Sequence, residues 1–397
     1  MSRSSNIGVW LIGANGSVAS TVVIGVLALA RRLIEPVGLV TETNVLKNHG
    51  FIPFDNLVFG GHEIRHSSFA FSIREMERNG VKIPRQLVKP LLPLLKRIDH
   101  NIKPGIAFGS SKKGEALPDL VKRLINDITA FKKRHSLKEV IVVNLASTEP
   151  PVPEGAHTKT LAALESAINN NRQDLLQPSV LYAYASFKSG GAYINFTPSA
   201  GASIPGLRQM AEKAHLPHCG SDGKTGETLV KSALAPLFNY RALKVLSWQG
   251  YNILGNQDGQ ALSNPAVCKS KIMSKDGILA PILGYQPHSH IGIDFVPSLG
   301  DWKTAWDFIH FEGFLNTKMS MQFVWQGCDS ILAAPLVIDL IRLVYLSRQR
   351  KEYGELSHLA LFFKKPLGTN AADLHSQWQL FNNHLNRRHR KNSYAPR

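Results

Sequence analysis

Cysteine is scarce in this chain: Cys219, Cys268 and Cys328 are the only three among 397 residues. They stand far apart and without CxxC spacing, which excludes a disulfide framework and a cysteine-rich zinc site and fits a reducing cytoplasm. Acidic residues are also few, 29 against 46 Lys and Arg, so the formal charge is +17 with histidines neutral. A long N-terminal hydrophobic run is missing too. The stretch Val18–Ala30 is shorter than the roughly 20 residues a membrane span needs, and Gly13-Ala14-Asn15-Gly16-Ser17 interrupts the approach to it, so it reads as a buried helix rather than a leader. With 44% hydrophobic and 19% charged residues, the composition excludes a disordered or fibrous chain.

The basic excess admits nucleic acid, an anionic membrane or an anionic small substrate as partner. Much of it sits in local runs, Lys132-Lys133-Arg134-His135 and Arg387-Arg388-His389-Arg390-Lys391, which read as solvated ends. No zinc finger, aromatic RNA-binding motif or heptad array accompanies them. A small anionic substrate is therefore expected, and neither a membrane nor nucleic acid.

Short apolar runs alternate with helix-length stretches through the first half. Strands are predicted at Ile7–Ile12, Gly38–Val40, Leu57–Phe59, Ile106–Phe108, Val140–Leu145, Val180–Ala185 and Ala192–Phe196, and helices at Ser17–Ile34, Pro118–Arg134 and Thr158–Asn170. Such alternation predicts an α/β fold, a Rossmann-type doubly wound parallel sheet. After Thr228 the texture changes. In Met319-Ser-Met321-Gln-Phe323-Val-Trp325 large apolar residues recur at every second position, the pattern of a sheet with one covered face. Ser330–Leu346 turns helical again, with Asp329 at the expected N-cap. The expected division is a nucleotide domain over 1–228, an inserted α+β catalytic and oligomerisation domain over 229–329, and C-terminal helices with a basic tail over 330–397 that return to the first domain.

The first strand runs into Gly13-Ala14-Asn15-Gly16-Ser17 and then an apolar helix. Glycines there let the backbone approach a pyrophosphate, and the helix N-terminus offers free N–H groups and partial positive charge. The spacing is GxxG rather than GxGxxG, and the Walker lysine is absent, so a dinucleotide is favoured over ATP. Glu42 and Glu63 compete for the acidic residue that would hold a ribose.

A denser constellation follows: Gly220-Ser221-Asp222-Gly-Lys224-Thr225, then Gly255-Asn256-Gln257-Asp258-Gly259-Gln-Ala-Leu-Ser263, then Lys271 and Lys275, which on a helix would share one face. Further on come Gly300-Asp301-Trp302-Lys303, Cys328-Asp329-Ser330 and Lys364-Lys365-Pro366-Leu367. In these motifs, collinear over most of its length, the chain resembles the myo-inositol-1-phosphate synthase family. The resemblance implies NAD-dependent conversion of glucose 6-phosphate into an inositol phosphate. Carbon 5 of the open-chain sugar is oxidised, the ketone enolises, carbon 6 closes onto the carbon 1 aldehyde, and the hydride returns.

It also implies residue roles. Gly13, Ala14, Asn15, Gly16 and Ser17 match the pyrophosphate turn, Glu63 the adenosine-side acid, and Ala146, Ser147 and Thr148 a loop lining the cofactor. Asp222, Thr225, Asn256, Asp258, Asp329 and Ser330 match positions around nicotinamide and sugar. Lys271, Lys275, Lys303 and Lys364 match the catalytic and phosphate-binding lysines. Desolvated ammonium groups stabilise enolate and alkoxide oxygens, and burial beside other cations makes a lysine a proton carrier. Lys271 is expected to move the proton of the oxidised hydroxyl. Lys303 and Lys364 are expected to hold the oxyanions, Lys275 the phosphate, and Asp222 and Asp258 to orient lysines and hydroxyls.

Some positions depart from the family pattern: Ser221 replaces a carboxylate, Leu229 a lysine, and His62-Glu63 a Trp-Asp pair. These leave open a related cyclitol phosphate synthase acting on another sugar phosphate such as fructose 6-phosphate. A third alternative is a non-catalytic NAD-binding or nucleic-acid-associated protein. The family implies a homotetramer and, in some members, a monovalent or divalent cation. His288, His290 and His310 are candidate ligands, though scattered histidines beside a sheet are more often structural, and the metal stays open.

Overall fold

A computed structural model describes residues 6–106, 108, 115–151, 155–255 and 277–393, with side chains through 386. Eleven strands are found among the described residues. Seven form one parallel sheet: β1 (Ile7–Ile12), β2 (Leu57–Glu63), β3 (Ile102–Pro104), β4 (Val140–Asn144), β5 (Ala192–Asn195), β6 (Pro217–Cys219) and β11 (Gly354–Glu355). Their order is β11-β6-β5-β4-β1-β2-β3, a Rossmann-type arrangement whose strand order reverses between β1 and β4.

The sequence of β1 shows why both faces are covered. Side chains alternate along a strand, and here Ile7, Val9 and Leu11 join one core while Trp10 and Ile12 join the other. The first core is closed by the helices Ser17–Ala30 and Asp329–Gln349, the second by Leu117–Arg134 and Pro178–Lys188. By length and composition Asp329–Gln349 could cross a membrane, yet its apolar stretch is 78% buried inside the fold. It is a core helix.

The other four strands are β7 (Lys244–Leu254), β8 (His288–Phe295), β9 (Trp302–Glu312) and β10 (Lys318–Cys328). They form a second sheet ordered β10-β9-β7-β8, antiparallel except for β7 with β8. Met319, Met321, Phe323 and Trp325 pair with Phe311, Ile309, Asp307 and Ala305. Trp248, Ile309 and Phe311 on this inner face pack with Ala235 and Phe238 of the helix Gly226–Tyr240. A buried ionic cluster lies in the same layer: Lys231 Nζ stands 2.6 Å from Glu227 and 3.5 Å from Asp307, and Trp248 Nε1 donates to Asp307 at 2.7 Å.

Three predicted strands are corrected. Gly38–Val40 lies in no strand; a 3-10 turn spans Val40–Glu42. The carboxylate of Asp339 accepts the Val40 and Thr41 amides at 2.7 and 3.0 Å and the Thr41 hydroxyl at 2.6 Å, replacing a sheet ladder. Val180–Ala185 belongs to the helix Pro178–Lys188. It is apolar on every side because it is buried all round, so periodicity alone does not separate it from an inner strand, while Pro178 suits a first helical turn. The edge strand is Ile102–Pro104; of the predicted Ile106–Phe108, Ile106 and Phe108 lie in no strand and Ala107 lies outside the described residues, and the Ile106 amide donates to the Tyr182 hydroxyl at 2.8 Å. The short β6 was not predicted. Asp339→Ala would strand two buried donors of Thr41 and the half-buried Val40 amide; the expected loss is about 2–4 kcal/mol in a urea denaturation midpoint series.

Candidate functional site

At the reversal of strand order, loops from the carboxyl ends of β1, β4, β5 and β6 surround a cleft. Lining it are Asn15, Gly16 and Ser17, then Ala146, Ser147 and Thr148, then Thr197, then Asp222 and Thr225. Lys303 from the start of β9, Asp329 and Ser330 from the start of the long helix, and Lys364 close the opposite side. Residues separated by more than 300 positions in the chain thus face one space.

The glycine turn is shaped by contact. Gly13 has φ +77, and a Cβ there would come within 3.1 Å of the Ala146 Cα. The Gly13 and Ala14 amides donate to the His62 carbonyl. Gly16, the N-cap of Ser17–Ala30, has no side chain to occupy the free helix N–H groups, so the positive end of the helix faces the cleft.

Glu63 braces this turn. Its carboxylate accepts the amides of Asn15, Ile64 and Arg65 at 3.0, 3.0 and 3.1 Å, and it is not among the residues lining the cleft. Arg65 lines it instead, held by the Asn15 carbonyl and by Glu75 at 3.2 Å each. Glu42, the competing acid, pairs with Arg342. His62, where the family pattern has Trp, is buried in the core: it accepts from Trp10 Nε1 at 2.9 Å and meets Asp127 at 3.1 Å, and burial lowers its pKa.

On the far side, Lys364 Nζ meets Asp222 Oδ1 at 2.8 Å with both side chains largely buried. Backbone bonds hold the pair: the Lys364 amide donates to the Asp222 carbonyl at 2.7 Å, Ser221 and Lys365 exchange bonds at 2.7 and 3.1 Å, and the Leu367 amide donates to Gly220 at 2.9 Å. Gly223 is fixed in kind, since a Cβ there would lie 2.1 Å from the Phe196 ring.

Asp329 is not the N-cap; the helix starts at Asp329 with Cys328 in the cap position. The end is capped across the fold by Asp301, which accepts the Ser330 amide at 3.0 Å and the Ser330 hydroxyl, with Cys328 Sγ at 3.1 Å. Thr225 Oγ1 donates to Asp329 at 3.4 Å.

Comparison with known proteins agrees with this geometry. The profile of the myo-inositol-1-phosphate synthase family, an NAD-binding family, matches residues 7–386. The chain belongs to that family. Inositol-3-phosphate synthase 1 of Bacteroides thetaiotaomicron is 30% identical over 408 residues, covering 95% of this chain and 94% of that protein. The enzyme of Spirodela polyrhiza is 29% identical over 89% of this chain and 77% of its own. The crystal structure of inositol-3-phosphate synthase from Caenorhabditis elegans superposes with a TM-score of 0.85 at 25% identity, over 96% of this chain and 86% of that one.

The cofactor of this synthase family is NAD, and the residues present fit it. Both polar atoms of the Asn15 side chain are buried beside the open helix end without a hydrogen-bond partner among the described residues. Such buried amides are normally satisfied, and a pyrophosphate-bearing ligand lying on the turn offers acceptors. Of the sequence-predicted residues, Asn256, Asp258, Lys271 and Lys275 lie outside the described residues. His288, His290 and His310 sit on β8 and β9, and none belongs to a metal-ligand grouping among the described residues.

Sequence reasoning singled out neither Arg65 nor the capping role of Asp301; the signal for Asp301 was its place two residues before Lys303. It also passed over Glu149, which follows Thr148. Its carboxylate takes the Ser179 amide at 2.8 Å and hydroxyl at 2.5 Å, and its own amide donates to Ser199. Glu149 thereby ties the Ala146–Thr148 loop to the helix behind it. Burial pushes its pKa up to about 7, against the hydrogen bonds from Ser179. A raised carboxyl contributes stability that is complete below its unfolded pKa, near 4.5, and lost as pH rises through about 7. Glu149→Gln should therefore flatten the fall in denaturation midpoint of the wild type between pH 5 and 8.

Proposed function

We propose that the protein converts D-glucose 6-phosphate into 1D-myo-inositol 3-phosphate, an intramolecular lyase reaction of the isomerase class. The observation that carries it is the meeting, in one cleft, of an open helix N-terminus with the Lys364–Asp222 pair and Lys303. A dinucleotide site faces fixed cationic groups across a space open to a sugar phosphate.

Bound NAD supplies reversible hydride acceptance, so the overall conversion consumes no outside oxidant. Asn15, Gly16 and Ser17 would hold its pyrophosphate, with Ala146, Ser147, Thr148, Thr225, Asp329 and Ser330 along its length, while Glu63 keeps the turn in shape. The chain's own task is to stabilise charge on oxygen and to move protons. Lys364 is held by Asp222 as a positioned donor, suited to an enolate or alkoxide oxygen. Lys303 has no ion-pair partner among the described residues and lines the same cleft; it serves the second oxyanion. A preorganised donor such as Lys364 needs no reorientation as charge develops. Lys271 is assigned the proton transfer at the oxidised hydroxyl, Lys275 the phosphate, and Asn256 and Asp258 the orientation of cofactor and substrate hydroxyls, from the family motifs alone. A cation beside the substrate is an open element of the family chemistry.

The test is product analysis by carbon NMR and mass spectrometry with NAD and labelled glucose 6-phosphate or fructose 6-phosphate, supplied separately. A six-membered inositol phosphate from the first is expected, with Lys303→Ala lowering kcat about 10²–10³-fold. Turnover of fructose 6-phosphate alone would overturn the substrate assignment and turn attention to Ser221 and Leu229.

The assembly is proposed to be a homotetramer in the cytoplasm. Its support is the outer face of the second sheet, where Tyr251 and Trp306 stack at 5.8 Å while remaining 42% and 38% exposed, beside Val324 at 66%. A solvent-facing apolar patch on a broad sheet is what subunit association covers. Light scattering should give a tetramer for the wild type and smaller species for Trp306→Glu.

A further inference from the structure

Outside the lining of the cleft, three ligand-type side chains from three elements converge. Glu352 lies in the turn after the helix Asp329–Gln349, His358 in the 3-10 turn Ser357–Phe362, and His384 in the final helix Leu374–Ser393. One ligand atom of each lies within 4.8 Å of the others, and no other such grouping occurs among the described residues. None of the three lines the cleft.

The surroundings narrow the chemistry. His384 Nε2 stands 3.1 Å from Glu352 Oε1, and the two imidazoles lie face to face, 3.7 Å apart and 1° from parallel. His358 is buried at 4% exposure, whereas the His384 side chain is 31% and that of Glu352 10% exposed.

We propose that Glu352, His358 and His384 form a binding site for a divalent transition-metal ion of the zinc class. Two nitrogen ligands, one carboxylate oxygen and a water on the exposed side complete a tetrahedral set. Hard oxygen-seeking cations such as magnesium are disfavoured by the two imidazoles. Parallel rings aim their lone pairs in parallel, so ligation requires the His384 ring to turn, and its exposure leaves room for that. The ion would fasten the last helix, which already buries Phe381 and Leu385 in the core and carries Gln377 onto Lys224 behind the Asp222 loop.

The experiment titrates full-length, chelator-treated protein with zinc alone, reading stoichiometry by calorimetry and the thermal midpoint in parallel. One ion per chain and a rise in midpoint are expected. His384→Ala, with folding checked by circular dichroism, should weaken that binding at least tenfold and abolish the midpoint shift, while His288→Ala on the second sheet leaves both unchanged. Cobalt(II) should give the intense visible absorption of tetrahedral ligation in the wild type and lose it in His384→Ala. Absence of a one-to-one site, or equal binding by His384→Ala, would overturn the proposal. If His358→Ala proves unstable, Glu352→Gln supplies the second variant, with the same expected loss. The readouts are independent of sugar-phosphate turnover, so failure here leaves the catalytic assignment untouched.

Discussion

The ion pair of Asp222 and Lys364 joins, through side chains in the wall of the cleft, two distant parts of the chain that backbone bonds also hold side by side. Its two members are 142 positions apart, one on the loop after β6, the other on the segment that returns from the second sheet. A lone buried charge of either sign is costly, and removal of one partner exposes that cost in full. Backbone exchanges on both sides keep the two carbons in register, and Gly223 leaves space for the Phe196 ring beneath them. The loops of β1 and β4 can then be arranged around a wall that is already fixed.

The second sheet depends on a related device. Lys231, Glu227 and Asp307 are almost fully buried between helix and strands, two acids to one base, and burial with the Glu227 charge nearby pushes the Asp307 pKa up to about 6. Tryptophan and asparagine donors reach the acids from β7, with Asn252 donating to Glu227 at 2.6 Å. An apolar layer would hold the helix against the sheet as well. A hydrogen-bonded ionic cluster in addition selects one register of β7 against β9, because a slip would carry Trp248 and Asn252 to the opposite face.

Much of this was legible in the residues. Strand β1, the glycine turn and the period-two pattern of β10 follow from local rules, and the motifs around Asp222, Lys303, Asp329 and Lys364 predicted that distant segments share a site. What local rules could not reach was side-chain service to a distant backbone. Asp339 satisfies the loop at Val40 and so removes a strand that the apolar pattern suggested. Asp301 caps a helix whose own first residue looked like the cap. Glu63 has the position of a ribose acid, and its oxygens are engaged by three backbone amides. For Asp339, for Asp301 and for the Asn15 amide held by Glu63, the partner is fixed by tertiary packing, and spacing along the chain carries no trace of it.

The place of β11 in the sheet has a consequence for synthesis. Strand β6 emerges from the ribosome long before Gly354–Glu355, which pairs beside it, and before Lys364. During that interval the nascent nucleotide domain has an open sheet edge next to β6 and an aspartate still waiting for its cation. Closure of the edge and neutralisation of the acid arrive together, late, with the same short stretch of chain. A chain cut short before that stretch would retain the glycine turn but would leave β6 as an unpaired edge strand and Asp222 without its cation.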